Sequence, residues 1–121
     1  MIGIGLDAVE ISRFRRALER YPGILERLFS ETEREDLSAR IDPVPGLAAR
    51  FAAKEATMKA LGVGIGRFAM RDVEIVLADS GAPDIRATGR ARERARSLGV
   101  SAFHVSLTHT ASFAQAVVVA E

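Results

Sequence analysis

The chain has 121 residues, no cysteine and a formal net charge of +1. Its length suits one domain, the lack of cysteine excludes disulfides, thiolate catalysis and a Cys-ligated metal, and the near-neutral charge gives no reason to expect binding to nucleic acid. No apolar run is long enough to span a membrane, and the first residues lack the pattern of a secretory signal. These properties are compatible with a cytoplasmic protein.

The first predicted element is a strand over residues 2–7. Apolar side chains alternate there with Gly3 and Gly5, so one face is apolar and the other is bare enough for another backbone to approach closely. The same glycines fit a loose dinucleotide-binding fingerprint, which we reject because that motif needs a full strand before its first glycine. Asp7 ends the predicted strand, where its side chain can face a cleft.

Three helices are predicted next. The first carries apolar residues at helical spacing and stops at Pro22-Gly23. The second is short, with Ser30 and Glu33 in the form of a capping box at its start, and it ends near Ile41. The third, residues 47–61, is rich in alanine and has the strongest helical pattern in the chain.

The second half of the chain is predicted to hold four strands and one Arg-rich helix. In order, there is a glycine-rich loop at 62–66, strands near 73–77 and 84–87, a helix that ends at Leu98-Gly99, and strands near 103–108 and 114–120. The order β-α-α-α-β-β-α-β-β predicts one compact α+β domain over residues 1–121, with a mostly antiparallel sheet packed with helices.

The helix over residues 47–61 carries an unusual set of charges. Lys54 falls within its apolar stripe, where a lysine either extends its ammonium to solvent or points into a site that needs a cation. Glu55 and Lys59 are neighbours one turn apart, and Arg50 and Lys54 form a second such pair. An ordinary surface pair of Glu and Lys is the alternative, and the spacing alone favours it.

Asp7 and Glu55 are candidate metal ligands. A Mg²⁺ ion that serves a phosphate substrate takes only one or two protein carboxylates and leaves its other positions to water and phosphate oxygens. These two acids can supply such a pair if the fold brings them together. The alternative is that Asp7 only ends a strand or caps a helix.

A strand end near the C-terminus is rich in hydroxyl groups. The run from Val105 to Thr110 includes Ser106, Thr108 and His109, which can donate hydrogen bonds to a phosphate, with added charge if the histidine is protonated. The alternative is a hairpin turn whose polar residues satisfy one another. His104, in mid-strand, is predicted to be structural.

Arginines cluster in two places. The early cluster is a candidate surface for an acidic partner, with an ordinary solvated helix face as the alternative, and the late cluster is typical of a solvated face. The early cluster comprises Arg13, Arg15, Arg16 and Arg20, and the late one comprises Arg90, Arg92, Arg94 and Arg96.

Three segments, taken together in their order and separation, resemble the holo-acyl-carrier-protein synthase branch of the 4′-phosphopantetheinyl transferases. The middle segment is highly specific, the other two are moderately so, and the resemblance covers essentially the whole chain. The segments are Gly3-Ile4-Gly5-Leu6-Asp7 with Glu10 and Arg13, Arg50-Phe51-Ala52-Ala53-Lys54-Glu55-Ala56 with Lys59-Ala60-Leu61-Gly62 and Gly64, and His104-Val105-Ser106-Leu107-Thr108-His109-Thr110.

The resemblance implies the fold of that family and an enzyme that moves phosphopantetheine from coenzyme A to a serine of apo-acyl carrier protein, in fatty-acid or polyketide biosynthesis. It implies a Mg²⁺ held by Asp7 and Glu55 and bridged to the coenzyme A pyrophosphate, with Lys59 on the phosphates. Glu55 is our first choice for the base that takes the serine proton, and Asp7 is the second.

The resemblance also assigns residues to the coenzyme A site. It implies that Arg50 and His109 help to hold the nucleotide end with its 3′-phosphate. Gly62, Ser106 and Thr110 are expected to belong to the same site.

The resemblance further implies a homotrimer with active sites at its subunit interfaces, and an early helix that receives the acidic carrier protein. Arg13, Arg16 and Arg20 are placed on that helix to do so, and of these Arg13 matches a family position. Two positions depart from the family pattern, since Met70 stands where an aromatic is common and Val63 where a threonine is common. The alternative function is a non-catalytic adaptor that binds an acidic carrier through the same helix. An RNA-binding module fits less well because aromatic residues for base stacking are sparse.

Overall fold

The computed structural model describes residues 1–64 and 66–121. Ile65, in the predicted loop at 62–66, lies outside the described residues. The described elements are β1 (Gly3–Glu10), α1 (Ile11–Arg20), α2 (Ile24–Leu28), α3 (Glu31–Ser38), α4 (Val44–Ala60), a 3₁₀ turn (Met70–Asp72), β2 (Val73–Leu77), β3 (Pro83–Ala87), α5 (Gly89–Ser97), β4 (Phe103–His109) and β5 (Phe113–Ala120).

Every helix and strand predicted from the sequence is present, and the differences lie in one short helix and in element boundaries. The prediction lacks α2, because five residues are too few to show a helical period. α3 ends at Ser38 rather than near Ile41. α4 begins at Val44 rather than at Leu47, because Pro45 lies in its first turn, where the missing N–H is not needed.

The predicted position of Asp7 at the end of the first strand is wrong. β1 continues to Glu10, because β5 pairs with it over its whole length, from Gly3 opposite Ala120 to Glu10 opposite Phe113. Asp7 therefore lies inside a strand rather than at a free end. The residues before and after it in β1 are all paired with β5, which fixes the backbone that carries its side chain.

The predicted antiparallel sheet is present as two separate sheets. One has three strands in the order β1-β5-β4, and the other is the β2-β3 hairpin. All pairings in both sheets are antiparallel. The domain is thus α+β, with helices packed against antiparallel strands.

α4 is the central element, and apolar clusters cover it on two sides. One cluster joins α4 to β2, β3, α5 and β5, and the other joins α4 to α1 and α3. The first includes Ala53, Ala56, Met58, Val73, Ile75 and Val118, and the second includes Ile11, Phe14, Phe29, Leu37 and Leu47.

β1 packs on α4 through bare backbone, as its glycines predict. A Cβ atom added at Gly5 would lie 1.8 Å from Ala56 O, and one added at Gly3 would lie 1.9 Å from Ala60 O. No side chain fits at either position. The next residue on the same face of β1 is Asp7, so this close approach brings a carboxylate beside the helix.

The opposite face of β1 is uncovered. Ile2, Ile4 and Leu6 are 42%, 58% and 64% exposed, and Val117 and Phe113 of β5 are exposed on the same face. An apolar sheet face of this kind is typical of a surface that binds a partner. No helix among the described residues is long and apolar enough to cross a membrane.

Candidate active site

The first group of predicted site residues meets where β1 lies against α4. Lys59 Nζ donates to Asp7 Oδ1 at 3.1 Å and to Leu6 O at 2.9 Å. The Asp7 side chain is 13% exposed and the Lys59 side chain 53%. The acid is therefore held inside the protein, whereas the lysine remains open to solvent. The ion pair of Lys59 is with Asp7, although helical spacing predicts Glu55 as its partner.

Glu55 completes this group, which we call the carboxylate centre (Asp7, Glu55 and Lys59). The pKa of Glu55 is raised, first because the side chain is partly buried and second because the negative charge of Asp7 is near. The charge of Lys59 acts in the opposite direction. The fold thus brings together the two acids that the sequence places 48 positions apart.

A cavity of about 630 Å³ opens onto the two carboxylates. Phe14 and Phe51 form part of its apolar wall, and Arg13 lies at its edge. The cavity therefore combines three acids (Asp7, Glu10 and Glu55), a basic side chain and apolar surface. Such a mixture is typical of a site that orients a polar group of a larger ligand.

The donor set of the carboxylate centre fits a hard divalent cation. The two carboxylates offer oxygen ligands of the kind that Mg²⁺ prefers. A bound cation would relieve the repulsion from Asp7, which adds to burial in raising the pKa of Glu55. Among residues 1–64 and 66–121, no group of three or more acidic or histidine side chains is arranged around a common point. Two protein carboxylates are the usual number for a Mg²⁺ that also binds phosphate and water.

The predicted partner-binding arginines share one side of α1. Arg13, Arg16 and Arg20 line a single surface cavity of about 660 Å³ together with Tyr21, and the guanidinium of Arg20 lies 5.7 Å from the Tyr21 ring centre. Arg13 also borders the cavity of the carboxylate centre, so the two regions are continuous. Arg15 points elsewhere.

Arg15 is paired with an acid of the chain itself. Its Nη1 and Nη2 donate to the two carboxylate oxygens of Asp42, at 3.1 and 2.7 Å. Asp42 Oδ1 also accepts from Val44 N, at the start of α4. The hydrogen bond from Arg15 is the main cause of a lowered Asp42 pKa. The Arg15 side chain is therefore engaged by an acid of the same chain, Asp42.

The structure does not bring Arg50 and His109 to the carboxylate centre. Arg50 is 4% exposed, and its Nη1 donates to Ile75 O at 3.2 Å and to Asp36 Oδ2 at 3.4 Å. Together with His109, at the exposed end of β4, it lines a separate cavity of about 200 Å³, which we call the Arg50–His109 cavity. Arg40 lines it as well, a basic residue that the sequence analysis does not identify.

The remaining predicted residues lie at three places. Thr110 Oγ1 accepts from Ser112 N at 3.2 Å and from Phe113 N at 3.1 Å, so Thr110 closes the β4–β5 turn, in agreement with the hairpin alternative. Ser106 is exposed on β4. Gly62 follows α4 with a φ of 69°, a conformation that favours glycine.

Lys54 fits neither of its two predicted interpretations. It is fully buried, and its Nζ donates to Glu33 Oε1 at 2.7 Å, Met70 O at 3.0 Å and Val73 O at 2.5 Å. Burial lowers the pKa of Lys54, and the charge of Glu33 opposes that change. The sequence contains one signal for this pair, because a lysine inside a buried stripe needs an acid, and the capping box places Glu33 at the start of α3.

Comparison with known proteins assigns the family. Residues 3–118 match the family model of the 4′-phosphopantetheinyl transferase superfamily. The holo-[acyl-carrier-protein] synthase of Streptomyces avermitilis is 50% identical over 121 residues, which cover 100% of this chain and 98% of that protein.

Solved structures agree with this assignment. The holo-[acyl-carrier-protein] synthase of Neisseria meningitidis superposes with a TM-score of 0.91 and 31% identity, over 100% of this chain and 98% of that one. The Helicobacter pylori enzyme, solved in complex with coenzyme A, superposes with a TM-score of 0.83 and 33% identity, over 98% and 99% of the two chains. The chain therefore belongs to the 4′-phosphopantetheinyl transferase superfamily, and is an enzyme of its holo-[acyl-carrier-protein] synthase branch.

Proposed function

We propose that this chain transfers 4′-phosphopantetheine from coenzyme A to a serine of apo-acyl carrier protein and releases adenosine 3′,5′-bisphosphate. The observation that carries the proposal is the carboxylate centre, where Asp7, Glu55 and Lys59 meet beside a cavity large enough for part of a substrate. The coenzyme A bound to the Helicobacter pylori relative supports the choice of donor. The proposed substrates place the reaction in the cytoplasm and in fatty-acid or polyketide biosynthesis.

The reaction requires charge neutralisation and alignment more than covalent catalysis. The serine oxygen attacks the β-phosphorus of coenzyme A, the bond from that phosphorus to the oxygen bridging the two phosphates breaks, and the leaving group carries its negative charge away. Lys59, whose ammonium is open to solvent, is placed to contact the phosphates as a point charge. No cysteine or Ser-His-Asp arrangement is needed.

Asp7 and Glu55 are the residues that would hold Mg²⁺, which would supply charge neutralisation for the pyrophosphate. Glu55 is also the first candidate to accept the serine proton, since its carboxylate lines the cavity of the carboxylate centre. Asp7, which already accepts a hydrogen bond from Lys59, is the second candidate.

The nucleotide end of coenzyme A is assigned to Arg50 and His109. Ser106 and Thr110, on and just after the same strand as His109, are assigned to the same ligand, and so is Gly62, which lines a separate surface cavity beyond the end of α4. Because Arg50 and His109 line a different cavity from the two carboxylates, one chain does not offer a single continuous site for both ends. We therefore propose a homotrimer in which the Arg50–His109 cavity of one chain faces the carboxylate centre of its neighbour. The uncovered apolar face of the β1-β5-β4 sheet supports such an assembly.

The carrier protein is assigned to the arginine side of α1. Arg13, Arg16 and Arg20 face the same cavity, and Arg13 also borders the carboxylate centre. A carrier with acidic groups bound there would present its serine to the site. Complementary charge would raise the rate of association and make it sensitive to salt.

The test is the mass of a purified apo-acyl carrier protein after incubation with the enzyme, coenzyme A and Mg²⁺. We expect a gain of one phosphopantetheine, absent with EDTA and absent with the Glu55→Gln variant. If the carrier binds but never gains mass, with coenzyme A and Mg²⁺ both present, the chain acts as an adaptor and the transfer reaction is wrong for it.

A further inference from the structure

The buried pair of Lys54 and Glu33 has no role in the proposed reaction, yet its hydrogen bonding is complete. Glu33 Oε1 accepts from Lys54 Nζ at 2.7 Å and from Ser30 N at 3.0 Å, and Oε2 accepts from Ile75 N at 3.1 Å. All three N–H groups of the Lys54 ammonium are used. Both side chains are 0% exposed. The network therefore joins α4 to α3, to the 3₁₀ turn and to β2.

Stability alone does not account for this network. Moving two charges out of water carries a desolvation penalty that their attraction only just offsets, and well-packed apolar residues of similar size usually serve a fold as well or better. What a closed network does supply is a defined geometry. Lys54 must meet acceptors from three different segments at once, so the turn of α4 that carries it can rotate very little.

The residue that this geometry controls is the next one in the chain. Glu55 follows Lys54 and points about 100° further round the helix. At the ~5–6 Å radius of side-chain atoms from a helix axis, a rotation of about 10° would move the Glu55 carboxylate by about 1 Å. Mg²⁺ requires ligand distances of about 2.0–2.1 Å in near-octahedral geometry, so a displacement of that size weakens the site.

We propose that Lys54 and Glu33 are positioning residues that fix the rotation of α4 and thereby hold Glu55 in register with Asp7. Two contacts then clamp α4 from different sides. The backbone of β1 sets the distance at Gly3 and Gly5, and the Lys54–Glu33 pair sets the rotation. This inference rests on the proposed function in one respect, since it takes the carboxylate centre to be the cation site.

Substitutions at Lys54, Glu33 and Ile85 distinguish an effect on the position of Glu55 from a general loss of stability. Lys54→Met leaves a buried carboxylate without its partner, and we expect the melting temperature to fall by roughly 10 °C or more. Lys54→Met combined with Glu33→Gln removes both charges and keeps an oxygen acceptor for one of Ser30 N and Ile75 N, which donate to different carboxylate oxygens, so it should regain part of that loss. Ile85→Ala, in the core on β3, is the control for lost stability without lost positioning.

Direct binding of Mn²⁺, followed by the loss of its free electron paramagnetic resonance signal, reports on the site without turnover. In the double variant, well below its melting temperature, we expect the dissociation constant for Mn²⁺ to rise tenfold or more. We expect kcat to fall by a similar factor, with the KM for carrier protein within twofold of the parent. Ile85→Ala should show neither change.

Two results would overturn the proposal or its basis. A folded double variant that binds Mn²⁺ within twofold of the parent shows that the pair is not a positioning device. If the double variant does not fold, Glu33→Gln alone is the deciding variant, because it keeps the shape of the side chain and one of its two acceptor oxygens. It should weaken Mn²⁺ binding at least threefold, and unchanged binding refutes the proposal. If the parent itself binds no Mn²⁺, the metal site of the proposed function fails instead.

Discussion

The carboxylate centre and the Arg50–His109 cavity differ in how much of a site one chain provides. In the carboxylate centre, a paired strand and the central helix fix Asp7, and burial together with the charge of Asp7 raises the pKa of Glu55. In the Arg50–His109 cavity, a buried arginine and an exposed histidine border a space of only about 200 Å³. One chain brings together the charged groups of the first region, whereas the proposed function needs a neighbouring chain to complete the second.

The largest expected effect is at the carboxylate centre. Glu55→Gln should lower kcat by roughly a thousandfold or more, since it removes a metal ligand and the proposed base. The folded-state pKa of Glu55 is raised, so its contribution to stability is present below the unfolded value of 4.5 and is lost as pH rises through the folded pKa. The metal-free variant should therefore be at least as stable as the parent at pH 7, by thermal unfolding. A marked loss of stability would mean that Glu55 is a structural residue.

The next effect tests the contact that positions Asp7. Gly5→Ala places a methyl group where the Cβ would be 1.8 Å from Ala56 O, so β1 must move away from α4. We expect a loss of about 2–3 kcal/mol in the free energy of unfolding, measured with urea, together with weaker Mn²⁺ binding. Gly64→Ala is the matched control, because an added Cβ there meets nothing within 4 Å. Equal stability of the two variants would contradict the account of the β1–α4 contact.

A smaller effect is expected at the Arg50–His109 cavity. His109→Gln should raise the KM for coenzyme A about tenfold, the size of one charge-assisted hydrogen bond, and leave kcat nearly unchanged. The preference for coenzyme A over its 3′-dephospho form should shrink by the same factor. His104→Gln, on the same strand and also exposed, is the control. If both variants raise KM equally, the cavity has no specific role in binding the nucleotide.

The smallest effect concerns α1, where two neighbouring arginines have different surroundings. Arg16→Ala should raise the KM for carrier protein by about threefold to tenfold at low salt and by less at high salt, because exposed charges are screened. Arg15→Ala should leave that KM unchanged, since Arg15 is bound to Asp42. Steady-state kinetics at two ionic strengths distinguishes the two variants. If Arg15→Ala raises the KM for carrier protein more than Arg16→Ala does, the carrier binds on the other side of α1.

The sequence predicts the helices and strands well, and the contacts between them less well. The glycines of β1 predict a close backbone approach, which the structure shows to be with α4, and the capping box at Ser30 and Glu33 is present as predicted. Both are local patterns with a direct physical cause. The extension of β1 beyond Asp7 depends on pairing with β5, more than 100 residues away, which no local pattern contains.

Side-chain partners were the least predictable feature. Helical spacing assigns Lys59 to Glu55, but the strand beside α4 offers Asp7 instead. Lys54 lies in an apolar stripe, which predicts an ammonium extended to solvent or one in a cation-requiring site, but it is buried and paired with an acid of α3. Both choices depend on which element packs against α4, and that is a property of the tertiary fold.

Subunit mixing tests the central claim most directly, namely that a carboxylate centre from one chain works with an Arg50–His109 cavity from another. A Glu55→Gln chain and an Arg50→Gln/His109→Glu chain, each inactive alone, are unfolded and refolded together at equal amounts. Random assembly would give about one quarter of the sites two intact halves, so activity should return to about one quarter of the parent value. A mixture as inactive as its two components would contradict the account, because each site would then be built within a single chain.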